Sequence, residues 1–308
     1  MSLLTAVLWG LLPIALKGLL VYLDALTITW LRFVIAAVVL GAFLTYKNRL
    51  PSLNKLHSRG TSLLTIVVIV GLLGNYILYM LGLDKITPGG AQVMIQSAPM
   101  LLLIGSLILF KESFHFKQWF GLIIFCCGLL LFFNQRFAEL INPENQYTIG
   151  ILLIFIAGVL WAGYALAQKQ LLKSFKSDEI MIMVYLAGSL VFLPLASASP
   201  VLQLDLLGWL LLLFCGANTL VAYGAFAEAL DHWEASRVSA TLALTPLLTL
   251  GFMQLTELFF PNYLEPEPLN ALSFIGAGLV VVGSAFTALS KQKARKVEGA
   301  DGVLRVDP

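Results

Sequence analysis

The chain has 308 residues, of which 59% are apolar and only 12% charged, against about 45–50% and about 25% in soluble proteins. That surplus of apolar side chain, with a mean hydropathy of +0.90, excludes a soluble globule and requires a second apolar solvent, the hydrocarbon of a bilayer. A net charge of +2 excludes the basic face of a nucleic-acid binder.

The first apolar run begins at Ser2 with no basic residue before it. It continues for about twenty residues, too long for a signal-peptide core, and is expected to be retained as a spanning helix. Further stretches able to cross about 30 Å of hydrocarbon predict ten helices in all, at 3–21, 26–46, 62–83, 88–110, 118–133, 149–168, 180–198, 206–229, 237–258 and 271–290. The 118–133 stretch is the shortest and leans on flanking aromatics such as Trp119. Cys126, Cys127 and Cys215 fall inside apolar runs and read as small buried hydrophobes, without disulfide or metal-ligand spacing.

Lys and Arg are retained on the cytoplasmic side of short loops. Alternate connections hold Lys47, Arg49, Lys55 and Arg59, then Lys111 and Lys117, then Lys169, Lys173 and Lys176, then Arg237, and finally Lys291, Lys293, Arg295, Lys296 and Arg305. The opposite connections hold only Lys85 and Arg136. Both termini are therefore expected in the cytoplasm, in a protein of a bacterial inner membrane. No connection is long enough for a separate domain, so the function is expected to lie within the membrane.

The chain also resembles itself. A shift of 152 lays Val7-Leu8-Trp9 on Val159-Leu160-Trp161, Ala15 on Ala167 and Lys17 on Lys169. A shift of 147 lays Tyr76 on Tyr223, Leu83-Asp84 on Leu230-Asp231 and Pro99 on Pro246. This predicts a repeat over 1–134, a connecting loop over 135–148, a second repeat over 149–290 and a cytoplasmic tail over 291–308. Five spans per half is an odd number, so the second copy starts on the opposite face of the membrane. The expected architecture is all-α, with two inverted five-helix repeats around a central cavity that opens to alternate sides.

Trp9-Gly10 in the first helix, Trp30-Leu31-Arg32-Phe33 in the second, the turn from Gly82 to Ala91, and Pro99 with Pro246 together resemble the EamA-type drug/metabolite transporters. The resemblance implies a ten-helix carrier whose cavity is lined mainly by its first, third, fourth, sixth, eighth and ninth spans. It also implies a small-molecule cargo, commonly amino acids or other metabolites moved outward, and no cofactor. The N-terminus departs from the family in lacking a basic lead, and the second half has no equivalent of Arg32 near Val184 or Tyr185.

Lys17 lies about 7 Å from the outer end of the first helix at helical rise. It either snorkels to the headgroups or offers a site for a carboxylate or phosphate; Lys169 is the weaker candidate of the pair. Trp9 and Trp161 lie deeper than an interfacial aromatic belt and read as cavity lining, with plain packing as the alternative. Arg32 reads as architecture, pairing with helix-end carbonyls or an acidic neighbour. Gln92 and Gln96 share one helix face, as do Thr241 and Thr245, beside Pro99 and Pro246. Asn75, Tyr76 and Tyr79, with Tyr164, Asn218 and Tyr223, are candidates for the facing walls. All of these polar groups have interhelical hydrogen bonding as their bland reading. Gly10, Pro13, Gly163, Pro99 and Pro246 interrupt apolar helices at corresponding places and are candidate hinges or, for the glycines, close-packing points, with Pro13 also a candidate for the cavity wall.

No carboxylate is expected at mid-membrane, which favours facilitated diffusion or exchange over obligatory proton coupling. There is no His-Glu-x-x-His, no Gly-x-Ser-x-Gly and no helix-facing aspartate pair, and no metal site is expected. His57 and His115 fall in loops and His232 in a turn, so the chain does not read as an enzyme. A receptor or scaffold would need longer loops. The expected function is export of amino acids or organic acids by alternating access. A sugar phosphate or nucleotide sugar is the runner-up, since that cargo calls for more than one deep basic residue.

Overall fold

The computed structural model describes residues 1–52, 58–110, 116–197, 199–232, 235–261, 263–264, 267–289, 297–298 and 304–305. Lys55, His57, Lys111, Glu112 and His115 lie outside them, as do Lys291, Lys293, Arg295 and Lys296 of the tail. Within the tail, Val297–Glu298 pairs antiparallel with Leu304–Arg305.

Helices run through nearly all the rest: α1 (Ser2–Leu19), α2 (Ala25–Tyr46), α3 (Arg59–Lys85), α4 (Pro88–Ile95), α5 (Ser97–Phe110), α6 (Phe116–Phe132), α7 (Phe137–Leu140), α8 (Gln146–Leu171), α9 (Ser177–Phe192), α10 (Leu206–His232), α11 (Ala235–Leu242), α12 (Thr245–Phe259) and α13 (Ala271–Leu289). Their starts carry local signals. Asp24 caps α2 by accepting from Leu26 N and Thr27 N, Thr87 with Pro88 opens α4, Asn145 accepts from Tyr147 N, and Glu179 reaches back to Lys176 N. His232, expected in a turn, is the last residue of α10.

Among the described residues, eight helical segments are long and apolar enough to cross a membrane, or nine if α6 and the segment after it, bent by 53°, count as one. The predicted 88–110 span is absent from that set because it is broken at Gln96 into α4 and α5. The predicted 237–258 span is likewise broken, between Leu242 and Thr245, yet passes as Val238–Phe259. Both breaks have one cause. Proline lacks an N–H and cannot bond the carbonyl four residues back, which is Ile95 for Pro99 and Leu242 for Pro246. Those are the last residues of α4 and α11.

The long helices pack as antiparallel pairs: α1 with α10, α2 with α9, α3 with α8 and α6 with α13. Close approach in two of these pairs is made by glycine. A Cβ on Gly128 would stand 2.6 Å from Val280 N, and one on Gly283 2.5 Å from Phe125 N, so α6 and α13 touch backbone to backbone. Gly82 and Gly150 do the same for α3 and α8. Because α6 turns this glycine edge inward, Cys126 and Cys127 face outward and are exposed; only Cys215 is buried, as was expected of all three. Large exposed apolar side chains such as Val38, Phe43, Ile66, Ile123, Leu190 and Leu213 cover the outside of the bundle, a surface that only lipid can solvate.

Candidate functional site

The broken helices meet at the centre. Gln96, at the break between α4 and α5, donates through Nε2 to the carbonyl of Ala243, at the break between α11 and α12, at 3.4 Å. Thr245 Oγ1 donates to the Leu242 carbonyl at 2.5 Å, restoring the bond that Pro246 removes. Thr249 Oγ1 donates to the Gly10 carbonyl at 2.9 Å, and Asn218 Nδ2 to the Leu8 carbonyl at 2.7 Å. Asn75 Nδ2 makes the matching bond from α3 to the Ala157 carbonyl of α8 at 2.9 Å. At membrane depth, where no water competes, such bonds from side chains to main chain hold interrupted helices in place.

Around these contacts lies a cavity of about 560 Å³. Of the residues singled out from the sequence, it brings together Trp9, Asn75, Tyr76, Tyr79, Gln92, Gln96, Pro99, Trp161, Asn218, Tyr223 and Thr245. Gly10, Pro13, Lys17, Tyr164, Gly163, Thr241 and Pro246 are not among the lining residues. Trp9 stands edge-on to Tyr223, with centroids 5.5 Å apart, and 5.8 Å from Phe226. Tyr164 is buried behind the wall, its hydroxyl directed at Met181 Sδ. A Cβ on Gly10 would press on Leu248 of α12 at 3.2 Å, so this glycine is a packing point, whereas Gly163 has open space beside it.

Lys17 stands at the far end of α3. Its Nζ donates to the carbonyls of Leu83 at 3.0 Å and Asp84 at 2.7 Å, carbonyls that a helix C-terminus leaves without intrahelical donors.

The wall also holds side chains that sequence reasoning did not place there: Thr219, Phe226, Ser239, Ser284, Thr287 and the cation Arg32. The partners of Arg32 differ from the helix-end carbonyls or acidic neighbour expected of it. Its Nε donates to Thr219 Oγ1 at 3.2 Å and its guanidinium lies 4.8 Å over the Tyr76 ring. Lys169 of α8 also lines the cavity. Among the described lining residues there are two cations and no Asp or Glu. Neither cation's place was legible in helical depth, because the face that a residue presents depends on which helices pack around it.

At the end of the bundle where α1 finishes, the helices are tied by a half-buried carboxylate that the sequence analysis did not single out. Glu267, between α12 and α13, accepts from Thr87 Oγ1, and from Gly90 N at 3.3 Å. It thereby adds to the N-terminal cap of α4. Arg136, paired with Glu139 at 2.5 Å and lying 4.4 Å over the Tyr147 ring, stands beside it. Burial pushes the Glu267 carboxyl above its ordinary value. Its bond from Thr87, the charge of Arg136, and the Gly90 and Tyr147 donors only partly offset that. The same end carries Tyr22 Oη donating to Asp205 at 3.1 Å. Among the described residues no cluster of His, Cys, Asp or Glu could hold a metal.

The EamA-like transporter family model matches residues 1–134 and 148–289. The chain is 39% identical over 288 residues to an uncharacterized transporter of Haemophilus influenzae, covering 94% of this chain and 93% of that protein. It is 37% identical over 289 residues to the uncharacterized inner membrane transporter YhbE of Escherichia coli K12, covering 94% and 90%. A probable amino-acid metabolite efflux pump of Escherichia coli K12 is 24% identical over 296 residues, covering 92% of each. One crystal structure superposes with a TM-score of 0.65 at 18% identity, over 94% of this chain and 95% of that one; at that identity the likeness speaks to fold alone.

Proposed function

The chain belongs to the EamA-like transporter family and is a membrane transporter, and on that premise we propose that it exports small carboxylate-bearing metabolites, amino acids or organic acids, by alternating access. The observation that carries the reading is the charge of the cavity wall. Arg32 and Lys169 line an interior furnished with Trp9, Tyr76, Tyr79, Trp161 and Tyr223, and the described lining residues include no Asp or Glu. A desolvated cation attracts an anionic group more strongly than it would in water, and aromatic faces with single donor groups suit the apolar remainder of a small acid. The efflux pump named above supports the same class of cargo.

The broken helices α4–α5 and α11–α12 are read as the fourth and ninth of ten spans, with α6 as the fifth, in two inverted halves over 1–134 and 149–290. Three things support this: the two stretches matched by the family model, the self-alignment, and the exchange of helix pairs that it predicts. Swapping the halves turns α3 against α8 into α10 against α1, and both pairs are present. The positive-inside bias of the loops supports cytoplasmic termini, and the name of the YhbE relative supports an inner membrane. On that orientation the ties from Glu267 and Lys17 lie on the periplasmic side, and the ends of α8 and α13 that carry Lys169 and Ala288 on the cytoplasmic side.

A sugar phosphate or nucleotide sugar is the second reading, favoured by the presence of two basic side chains in the cavity where one was expected. Counterflow separates the two. Proteoliposomes preloaded with unlabelled amino acids, organic acids or sugar phosphates are given the labelled compound outside, and accumulation with one class alone assigns the cargo. Accumulation with phosphate esters alone rejects the carboxylate reading.

A further inference from the structure

Glu267 belongs to the second half of the chain, and both groups that donate to it, Thr87 Oγ1 and Gly90 N, belong to the first, where they open the short helix α4. The other end of α4 is also strapped across, since Gln96 donates to the Ala243 carbonyl at 3.4 Å. Ala243 precedes α12 and Glu267 follows it. One short helix of the first half is thus clasped at both ends by the segments that flank one helix of the second. Between the clasps the contact is close: a Cβ on Gly89 would stand 2.9 Å from Leu250 Cδ2, 3.1 Å from Glu267 Oε2 and 3.2 Å from Met253 Sδ.

Gln96 lines the cavity, whereas Glu267, Thr87 and Gly90 are not among its lining residues. Both α8 and α13 begin at the Glu267 end of the bundle, where Gly150 meets Gly82 and where Ser273 and Asn270 bond Asn134. The cavity follows these helices only along their later turns, from Trp161 to Lys169 and from Ser284 to Ala288. It therefore reaches the far end of the bundle and stops short of the Glu267 end. Parting the Glu267 contact costs little hydrogen bonding. Thr87 Oγ1 also accepts from Gly90 N at 3.3 Å, so α4 keeps a cap of its own when Glu267 leaves. Arg136, already paired with Glu139, stands beside the carboxylate and can hold it once released. Pro268 restrains the Glu267 backbone to extended conformations, so the carboxylate is presented without the freedom of an ordinary loop.

We propose that the contact of Glu267 with Thr87 and Gly90 is a gate latch: it holds α4 against α12, closes the cavity at the end of the bundle where α1 finishes, and must part for the cavity to open there. This rests on the alternating-access reading above, and names the residues that hold one of its two states.

The test reads the sidedness of the cavity in full-length protein reconstituted in liposomes, in a background of Cys126→Ala, Cys127→Ala and Cys215→Ala. Leu12→Cys places a thiol on the cavity wall at a partly exposed position, and a membrane-impermeant thiosulfonate is added from one face or the other. Glu144→Cys, in the exposed connection before α8, marks the face at which α1 ends. With the latch intact, the Leu12→Cys thiol is expected to react about tenfold or more slowly from that face, because it is reached there only through a minor open state. Glu267→Ala and Thr87→Val should each bring the two rates toward equality by speeding the reaction from that face alone. Glu267→Gln, whose amide oxygen still accepts from Thr87 and Gly90, should keep most of the difference. Thr87→Val removes a single hydroxyl and decides the matter if Glu267→Ala does not fold. Unchanged rates in the folded variants overturn the latch, as does equal acceleration from both faces, since a general loss of packing has no side. Equal rates before any change at Glu267 or Thr87, with counterflow intact, overturn the latch alone. Absence of counterflow with every cargo class overturns the alternating-access reading beneath it.

Discussion

Asn218 of α10 donates through Nδ2 to the Leu8 carbonyl of α1 at 2.7 Å. Asn75 of α3 donates in the same way to the Ala157 carbonyl of α8 at 2.9 Å. In each pair a long helix holds the main chain of a tryptophan-bearing helix close to its indole, Trp9 in one case and Trp161 in the other. The two bonds sit in different helix pairs, so they should act independently. Asn75→Leu is expected to cost about 0.6–1.7 kcal/mol, the range for interhelical hydrogen bonds in membranes. Asn218→Leu should cost a similar amount, and the double variant the sum within about 0.5 kcal/mol. Thermal unfolding in detergent measures this.

The Leu242 carbonyl loses its usual donor to Pro246 and regains one from Thr245 Oγ1. Thr245→Val should therefore destabilise the protein by about 1–2 kcal/mol, the penalty of an unsatisfied buried acceptor. In a Pro246→Ala background the new backbone N–H can bond Leu242, and the same Thr245→Val change should cost much less. A double-mutant cycle on melting temperature reads the difference as a coupling of about 0.5–3 kcal/mol.

The glycine seam between α6 and α13 has no room for a side chain. A Cβ at Gly128 would meet backbone atoms of α13 at 2.6 and 2.8 Å, and backbone cannot swing aside. Gly128→Leu should lower stability by about 1–3 kcal/mol or more through overpacking. Gly163→Leu, with nothing within 4 Å of its Cβ, should cost less than half as much. Fluorescence-detected size exclusion after a heat step compares them.

Glu267 is the group from which a pH dependence follows. Burial raises its value above the ordinary carboxylate range, so the folded protein holds this proton more tightly than the unfolded chain does. Its contribution to stability is therefore full below the ordinary value and is lost as pH rises through the native one. The melting temperature of the wild type relative to Glu267→Gln should fall across that interval and level off above it. Parallel curves for the two proteins would show that Glu267 does not titrate there. Arg136, Tyr147 and Glu139 belong to the same cluster, so the comparison is with Glu267→Gln alone, which keeps the shape.

Helices were legible wherever apolar length alone defines them, as in α3, α8 and α13. The prolines that break two spans were also legible, because a missing N–H has a fixed consequence four residues back. The inward-facing polar residues Gln96, Asn75 and Asn218 could be chosen because polar groups in apolar helices must find partners. What sequence could not convey was facing. Arg32 sits near the start of α2, where depth alone reads as a brace, and it comes to the cavity only because Thr219 and Tyr76 are packed against it. Lys17 has a similar depth, but its ammonium meets the carbonyl end of α3. Glu267 lies between Pro266 and Pro268 in a connection with no periodicity, and only the docking of that connection on Thr87 marks it.

The most direct test of the central claim, that cargo passes through the cavity between these helices, is counterflow through a protein whose cavity has been filled. Ala165 lines the cavity, and Ala165→Trp places an indole in it without touching the ties at Glu267 or the glycine seam. Reconstituted Ala165→Trp that melts within a few degrees of wild type should lose at least nine-tenths of counterflow of the cargo. Wild-type counterflow through the filled protein would contradict the account.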